Sequence, residues 1–143
     1  MLLAAASCTS GEIESSQYHS IPPEGWLYGD TLIFTPGLPD SIATGHLVAA
    51  VSHDGNFAFS TLWLEVLTLT PRGEAVRDTI SFHLADNFGR WKGNGLSGNL
   101  QMSDTITRRI TLTRGQPVKV RHIMRADTLK AINNVGIFFI ATD

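Results

Sequence analysis

The residues with the most chemical potential lie in a glycine-rich segment between positions 86 and 99. Four glycines fall within ten residues there, around the cluster Arg90-Trp91-Lys92. A phosphate-binding loop would need Gly-Lys-Ser/Thr at the start of a helix, whereas a threonine-rich strand pattern follows this segment. Glycines beside a tryptophan favour positive-φ turns around a packed indole. The alternative is a binding loop in which Arg90 and Trp91 make the contact.

No group of residues has the spacing of a catalytic or metal site. A nucleophile elbow has the pattern Gly-x-Ser-x-Gly, and the sequence 95–98, Gly-Leu-Ser-Gly, misses it by one position. The five histidines never occur as His-x-His or His-Glu-x-x-His, the spacings expected of zinc ligands. Only five glutamates are present, and three of them precede residue 25, which leaves few candidates for a glycosidase carboxylate pair. We therefore expect no enzymatic activity, no metal and no cofactor.

Two further arginines, Arg121 and Arg125, lie at the end of a predicted strand. One interpretation is that they form exposed ion pairs, which contribute little free energy, with one or more of Asp86, Asp104 and Asp127. The other interpretation makes them contacts for a partner protein. The candidate partner-binding residues are thus Arg90, Trp91, Arg121 and Arg125.

The N-terminus is typical of a lipoprotein precursor. Residues 1–8, Met-Leu-Leu-Ala-Ala-Ala-Ser-Cys, form an apolar run that ends in small residues before a thiol, as lipoprotein signal peptidase requires. The run is short and lacks a basic n-region, which a start codon assigned too far downstream would explain. Cys8 is the only cysteine, so the alternative is a free thiol rather than an internal disulfide. We predict a partial signal peptide over 1–8, lipidation of Cys8, a polar tether over 9–24 and one folded domain over 25–143.

The charge distribution is uneven along the chain. The net charge is −2, but no lysine or arginine precedes Arg72, and all 11 basic residues follow. A basic half would indicate nucleic-acid binding if it formed a domain of its own. In a single sandwich the two halves interleave and their charges compensate, so we expect no nucleic-acid partner.

The body of the chain alternates between apolar and polar residues with a period of two, which predicts β-strands. About eight short strands separated by turns indicate an all-β, antiparallel β-sandwich of the jelly-roll kind. Within it we predict a hairpin at 53–56, between strands 45–52 and 57–70, an edge strand at 31–35, and one strand over 105–113. A short helical turn over 125–134 would precede the last strand. The predicted buried core includes Trp63, Leu64, Phe82, Leu84 and Ile137.

Several ordered motifs resemble the GldH family of gliding-motility-associated lipoproteins of Bacteroidetes. These are Phe57-x-Phe59-x-x-Leu62-Trp63-Leu64, Ala85-Asp86-x-x-Gly89-x-Trp91-x-Gly93-x-Gly95, Met124-Arg125-x-Asp127-x-Leu129 and Ile132-x-x-Val135-Gly136-Ile137. The lipobox at Cys8 occupies the position where that family carries its own. The sequence departs from the family pattern at His53, where an arginine is expected, and near Gln116-Pro117, where an aromatic residue is expected. These departures bear on surface contacts rather than on the fold.

The resemblance implies a protein of the cell envelope, anchored to the outer membrane by lipid, that acts as an accessory or scaffold component of a gliding-motility or type IX secretion-associated assembly. Its partners would be other envelope lipoproteins or secretion and motility proteins. The alternative function is a carbohydrate-binding or ligand-binding jelly-roll module, with Trp91, Asn94 and Asn99 as the binding residues.

Overall fold

The computed structural model describes residues 15–93, 95, 99–106 and 108–142, and in these residues all the regular secondary structure is β-strand. Alternation of apolar and polar residues accounts for most of them. The strands are β1 (Ser15–Ser20), β2 (Trp26–Leu27), β3 (Leu32–Phe34), β4 (Ile42–His53), β5 (Thr61–Leu69), β6 (Ala75–His83), β7 (Leu100–Thr105), β8 (Ile110–Thr113), β9 (Val118–His122), β10 (Thr128–Leu129) and β11 (Ile132–Ala141).

The strands form two antiparallel sheets that face each other. Sheet I has the order β1-β11-β4-β7, and β8 pairs with the first part of β4; sheet II has the order β3-β9-β5-β6. A small separate ladder joins β10 to β2. The predicted all-β antiparallel sandwich is therefore confirmed, as is the edge position of the strand around 31–35, which is β3.

The core lies between the sheets and is filled by the inward residues of each strand. Leu64, Phe82, Leu84 and Ile137 are buried as predicted. The prediction for Trp63 was wrong, because its side chain is 45% exposed. Successive side chains of a strand point to opposite faces, and β5 places Leu62, Leu64 and Val66 in the core, so Trp63 must lie on the outer face.

The segment 53–56 makes a turn but not the predicted hairpin. The backbone N–H of Asn56 donates to the Asp54 carboxylate at 2.8 Å, which is the local bond that favours a turn. The strands on either side, however, belong to different sheets, since β4 pairs in sheet I and β5 in sheet II. Residues 54–60 are therefore a crossover, and the second strand begins only at Thr61.

The predicted strand 105–113 is two strands, β7 and β8. Both pair with β4, β7 along Val48–His53 and β8 along Ile42–Gly45. Between them Arg108, which interrupted the apolar pattern, reaches across to sheet II and binds Asp78 through two hydrogen bonds of 3.2 and 2.6 Å. The polar residue thus marks a break between strands.

The predicted helical turn over 125–134 was also wrong. Thr128 and Leu129 pair with Leu27 and Trp26 as strand β10, and Ala131 takes a left-handed conformation with φ 73° that turns the chain into β11. A single helical turn fixes several residues for one hydrogen bond and is unfavourable by itself. Pairing with β2 buries Leu129 and satisfies the backbone instead.

The first strand that the structure describes lies within the predicted tether 9–24. Residues 15–20, which the sequence placed in the tether, form β1 and pair with β11 from Phe139 to Asn134. A polar segment is accommodated there because β1 is an edge strand, where backbone pairing rather than side-chain burial holds the chain. Residues 1–14, including Cys8, lie outside the described residues, so the signal peptide and the lipid anchor stay predictions.

His122 is a fully buried polar residue in the core. Its Nε2 lies 3.1 Å from the Trp26 carbonyl oxygen, and its Nδ1 accepts the backbone N–H of Met124 at 3.2 Å. A carbonyl only accepts and an amide N–H only donates, so these partners select the neutral tautomer that carries its proton on Nε2. Burial, the largest cause, lowers the pKa of His122 from its usual 6.5.

Replacing Phe82 by alanine is expected to lower the free energy of unfolding by roughly 3–5 kcal/mol, because it leaves a cavity in the core. Trp63→Ala serves as the comparison, with an expected cost of about 1 kcal/mol or less, since the indole lies on the outer face. Urea unfolding followed by circular dichroism measures both values. Equal costs for the two variants would contradict this assignment of inner and outer faces.

Stability is expected to fall as the pH drops below about 6.5, the ordinary histidine pKa, and to go on falling until the lowered pKa of His122 is reached. The unfolded chain gains a proton in this range that the folded chain excludes, so protonation favours unfolding. Melting temperatures between about pH 5 and pH 8 measure the effect. His122→Gln should flatten this dependence, whereas the exposed control His83→Gln should retain it. A dependence unchanged in His122→Gln would exclude His122 as its source.

Candidate functional site

Several connections meet at one end of the sandwich, which we call the loop end. Among them are residues 54–60, the described residues between 84 and 99, and residues 123–131, which include β10. The antiparallel register brings them together, because Thr61 pairs with His83 where β5 begins and β6 ends. Of the predicted contact residues, Arg90, Trp91 and Arg125 lie in these connections, whereas Arg121 lies in β9 on the adjoining face of sheet II.

Arg90 is held in place by its own loop. The Asp86 carboxylate accepts the backbone N–H of Phe88 at 2.8 Å and of Arg90 at 3.0 Å, and it pairs with the Arg90 side chain at 2.9 Å. The guanidinium carbon also lies 5.2 Å from the centroid of the Phe88 ring. These bonds, above all the one from the Arg90 backbone, lower the pKa of Asp86. Arg90 therefore orders the loop while most of its side chain stays exposed.

Trp91 is half-buried and packs against the core rather than standing free. Its ring lies edge-on to His53, with centroids 4.9 Å apart, and its backbone pairs with Ala85 to close the loop. Gly89 takes a positive φ of 80° in the turn just before it. The geometry agrees with the interpretation of a packed indole framed by glycine turns.

Arg121 lies on the outer face of sheet II and is paired with an acid that the sequence did not single out. Its Nε donates to Glu65 at 2.9 Å, and Arg77 donates to the same oxygen at 3.0 Å. The bond from Arg121 is the main cause that lowers the pKa of Glu65, and hydrogen bonds with Glu65 and then Tyr28 raise the pKa of Arg121. The expected pairing of Arg121 with an aspartate was wrong, because Glu65 is its register partner on β5.

Arg125 follows β9 at the loop end and is exposed. Its side chain makes no hydrogen bond or ion pair with any of the residues that the structure describes. Of the four predicted contact residues, it is the one whose charge is not compensated within the described chain.

Sequence reasoning missed an exposed aromatic surface beside Arg121. The register places Trp63 next to Glu65 on the outer face of β5, and Tyr28 adjoins Arg121. Trp63 is 45% exposed and Tyr28 55% exposed. We call Tyr28, Trp63, Glu65, Arg77 and Arg121 the aromatic–cation face. The sequence did contain a signal in Glu65. It lies two residues after Trp63, so both side chains point to the same side of β5, and a glutamate indicates that this is the solvent side.

The residues proposed for a carbohydrate-binding loop do not form an open set. The Asn99 side-chain oxygen accepts a hydrogen bond of 3.0 Å from Asn133, and Trp91 packs inward. Asn94 lies outside the described residues. Across the ranges that the structure describes, no three histidine, cysteine or acidic side chains are grouped to hold a metal ion, and no helix has the length and apolarity of a membrane span.

Three solved structures show remote similarity to this chain. The chain is similar to PRD1 vertex protein P5 (9% identity, TM-score 0.48, 92% of this chain and 99% of that chain). It is also similar to part of dimeric latent PorU from Porphyromonas gingivalis (13% identity, TM-score 0.36, 91% of this chain and 13% of that chain). A third match is the infectious bursal disease virus VP2 subviral particle (8% identity, TM-score 0.34, 90% and 30%). These scores are too low to support a functional argument.

Comparison with curated proteins gave no match. The family profile described as GldH lipoprotein, in contrast, matches residues 14–138 of the 143. The match includes every motif that carried the resemblance in the sequence, from Phe57 to Ile137, and it spans both sheets of the sandwich. The chain therefore belongs to the GldH lipoprotein family.

Proposed function

We propose that this lipoprotein is a non-catalytic adaptor that docks another envelope component of a gliding-motility or type IX secretion-associated assembly. Membership of the GldH family supports the association with gliding motility. The observation that supports a docking role is the exposure of Trp63 beside Arg121 on an outer sheet face. Tryptophan, tyrosine and arginine are the residues that most often dominate binding energy at protein interfaces.

The partner is proposed to be another envelope lipoprotein or a secretion or motility protein, and not a nucleic acid. On the aromatic–cation face Glu65 already neutralises part of the charge of Arg77 and Arg121, so the surface has aromatic contacts and only a modest positive charge. A nucleic-acid surface would need a larger cluster of uncompensated cations. The face suits an apolar protein surface that carries some acidic groups.

The anchor is proposed to be a lipid on Cys8 that holds the protein to the outer membrane. The first described strand, β1, lies on the edge of sheet I. Residues 9–14 would then connect the lipid to that edge and leave the aromatic–cation face of sheet II turned to other proteins. Whether the anchored face is periplasmic or external does not alter this arrangement.

Acylation of Cys8 is expected to place the protein in the detergent phase when it is expressed from its native gene. Cys8→Ser should move it to the aqueous phase, because the thiol that carries the lipid is gone. Detergent partitioning and mass spectrometry of the N-terminal peptide measure the result. Ser10→Ala is the control that leaves the thiol in place. A wild-type protein that is soluble and unmodified would contradict the proposed anchor.

Trp63→Ala and Arg121→Ala are expected to remain folded and lipidated but to lose the cross-links that the wild-type protein forms with secretion and motility components. Loss of either anchor residue removes a large share of the contact energy. The strain that produces the protein should show the same loss in colony spreading or surface display of secreted proteins. Ile42→Ala, an equally apolar exposed position of sheet I, is the matched control. Wild-type cross-linking and wild-type phenotype in both variants would contradict the proposal.

A further inference from the structure

A groove of about 720 Å³ lies across the outer face of sheet I, on the other side of the sandwich from the aromatic–cation face. This volume falls within the range of small-molecule sites, about 300–1,000 Å³. The groove is separate from the loop residues that the sequence analysis considered for a ligand, apart from Lys92 and Gly93 at its rim. Two neighbouring rows of side chains, which run across all four strands, define its chemistry.

The first row is small in the middle and aromatic at one end. The register aligns Tyr18, Gly136, Ala50 and Ser103 across β1, β11, β4 and β7. The Tyr18 ring packs directly against the backbone of Gly136. A Cβ at position 136 would lie 2.5 Å from a ring carbon, so this packing requires glycine there. Phe138 supports the ring edge-on, with centroids 5.5 Å apart. Tyr18 is nevertheless 58% exposed, so it presents an aromatic surface beside the floor of the groove.

The second row is polar and uncharged. It aligns Ser20, Asn134, Ser52 and Gln101 across the same strands. Ser20 donates to the Asn134 side-chain oxygen at 3.2 Å, and the Asn134 amide donates to Ser52 at 3.3 Å. These bonds fix the orientation of Asn134 and leave its second N–H available.

Two more polar side chains at the β7 side of the groove have no hydrogen-bond partner among the residues that the structure describes. Gln101 and Ser103 are exposed, and neither side chain forms a hydrogen bond within the described ranges. The amide of Gln101 offers donors and an acceptor, and the hydroxyl of Ser103 offers both. The groove thus combines an oriented amide with unpaired neutral groups.

The wall on the β7 side comes from the glycine-rich loop. Gly93 lies so close to β7 that a Cβ there would be 2.7 Å from the Gln101 carbonyl oxygen. This close approach to Gln101 forms the wall at that point, and Lys92, next to Gly93, lies at the rim. Lys92 is the single cation of the lining, and no acidic side chain among the described residues lines the groove.

We propose that this groove binds an oligosaccharide of uncharged or weakly acidic sugars. Neutral amides and hydroxyls match the many hydroxyl groups of a sugar, and an exposed tyrosine provides a flat surface for the apolar side of a sugar ring. Four strands about 4.8 Å apart give the groove a width of roughly 14 Å, enough for a short oligosaccharide. This site goes beyond the proposed adaptor role and does not depend on it.

An extended peptide fits the groove less well. A peptide that binds a sheet does so mainly through an unpaired strand edge, whereas the floor of this groove lies on the outer face of β1, β11, β4 and β7. The backbone groups of the floor are already paired with neighbouring strands. The floor therefore offers side chains and not backbone donors, which favours a sugar.

The test is calorimetric titration of the full chain carrying Cys8→Ser with four hexasaccharides: cellohexaose, mannohexaose, chitohexaose and hexagalacturonate. A fifth titration uses polysaccharide purified from the envelope of the producing strain, which separates an envelope source from a free glycan. We expect binding of at least one of these probes. Tyr18→Ala and Gln101→Ala should each weaken that binding roughly tenfold or more, since Tyr18 provides the aromatic surface and Gln101 an unpaired amide at opposite sides of the groove.

The matched control is Tyr28→Ala, which removes an equally exposed tyrosine from sheet II and should bind like the wild type. Gln101→Ala keeps the test informative even if Tyr18→Ala unfolds, because the Gln101 side chain makes no hydrogen bond in the described fold. The proposal is overturned if no sugar binds up to about 10 mM, beyond the millimolar range of weak affinities. A sixth titration uses the extended peptide (Thr-Val)₄. The proposal is also overturned if the folded variants bind the sugars like the wild type, or if the peptide binds and no sugar does. None of these results affects the adaptor proposal, which is tested on sheet II.

Discussion

Pairing between β4 and β11 is the constraint on which the rest of the fold depends. The two strands pair from Gly45–Ala141 to His53–Ile132, and every other strand of sheet I attaches to one of them. β1 pairs with β11, whereas β7 and β8 share the other side of β4. A slip of one residue would turn Leu47, Val51, Ile137 and Phe139 out of the core and into solvent. Because β5 to β10 all lie between β4 and β11 in the chain, this pair joins residues that are far apart in sequence, and such contacts form slowly.

Burial of both inner faces leaves the outer faces and the loops for binding. The two outer faces differ in chemistry although they are built from similar alternating strands. Sheet II exposes Trp63 and Tyr28 around the Glu65 ion pairs, and sheet I exposes Tyr18 beside neutral amides and hydroxyls. The two proposed sites therefore lie back to back, so a protein partner and a sugar would not compete for the same surface.

Two buried histidines tie the loops to the core in different ways. His122 has a partner on each ring nitrogen and so fixes the Trp26 and Met124 backbones around it. His53 is also fully buried, and its Nδ1 lies 3.0 Å from the Asp54 carbonyl oxygen. Its Nε2 has no partner within the described residues, and aromatic contacts with Phe57 and Trp91 surround the ring instead. The loop end is thus organised around buried imidazoles, which explains why Trp91 packs inward.

The sequence by itself determined the fold class, the family and much of the core. Period-two alternation predicts strands wherever one face is buried, and it correctly placed Leu64, Phe82, Leu84 and Ile137 inside. Alternation states which residues share a face, but not which strand lies next to which. For that reason the turn at 53–56 wrongly predicts a hairpin, and the spacing of Leu129 and Ile132 wrongly predicts a helical turn.

Only the tertiary structure decided the candidate sites. Trp63 is as apolar as its neighbours in β5, so its composition does not show which side of the strand is buried. Leu62, Leu64 and Val66 form the inner face because they pack against the core residues of sheet I, and Trp63 therefore points outward. The groove joins Tyr18, Asn134, Ser52 and Gln101, which are far apart in the chain and become neighbours only through the register of four strands. No local pattern encodes that register. It follows from closing the sandwich so that all inward faces are buried at once.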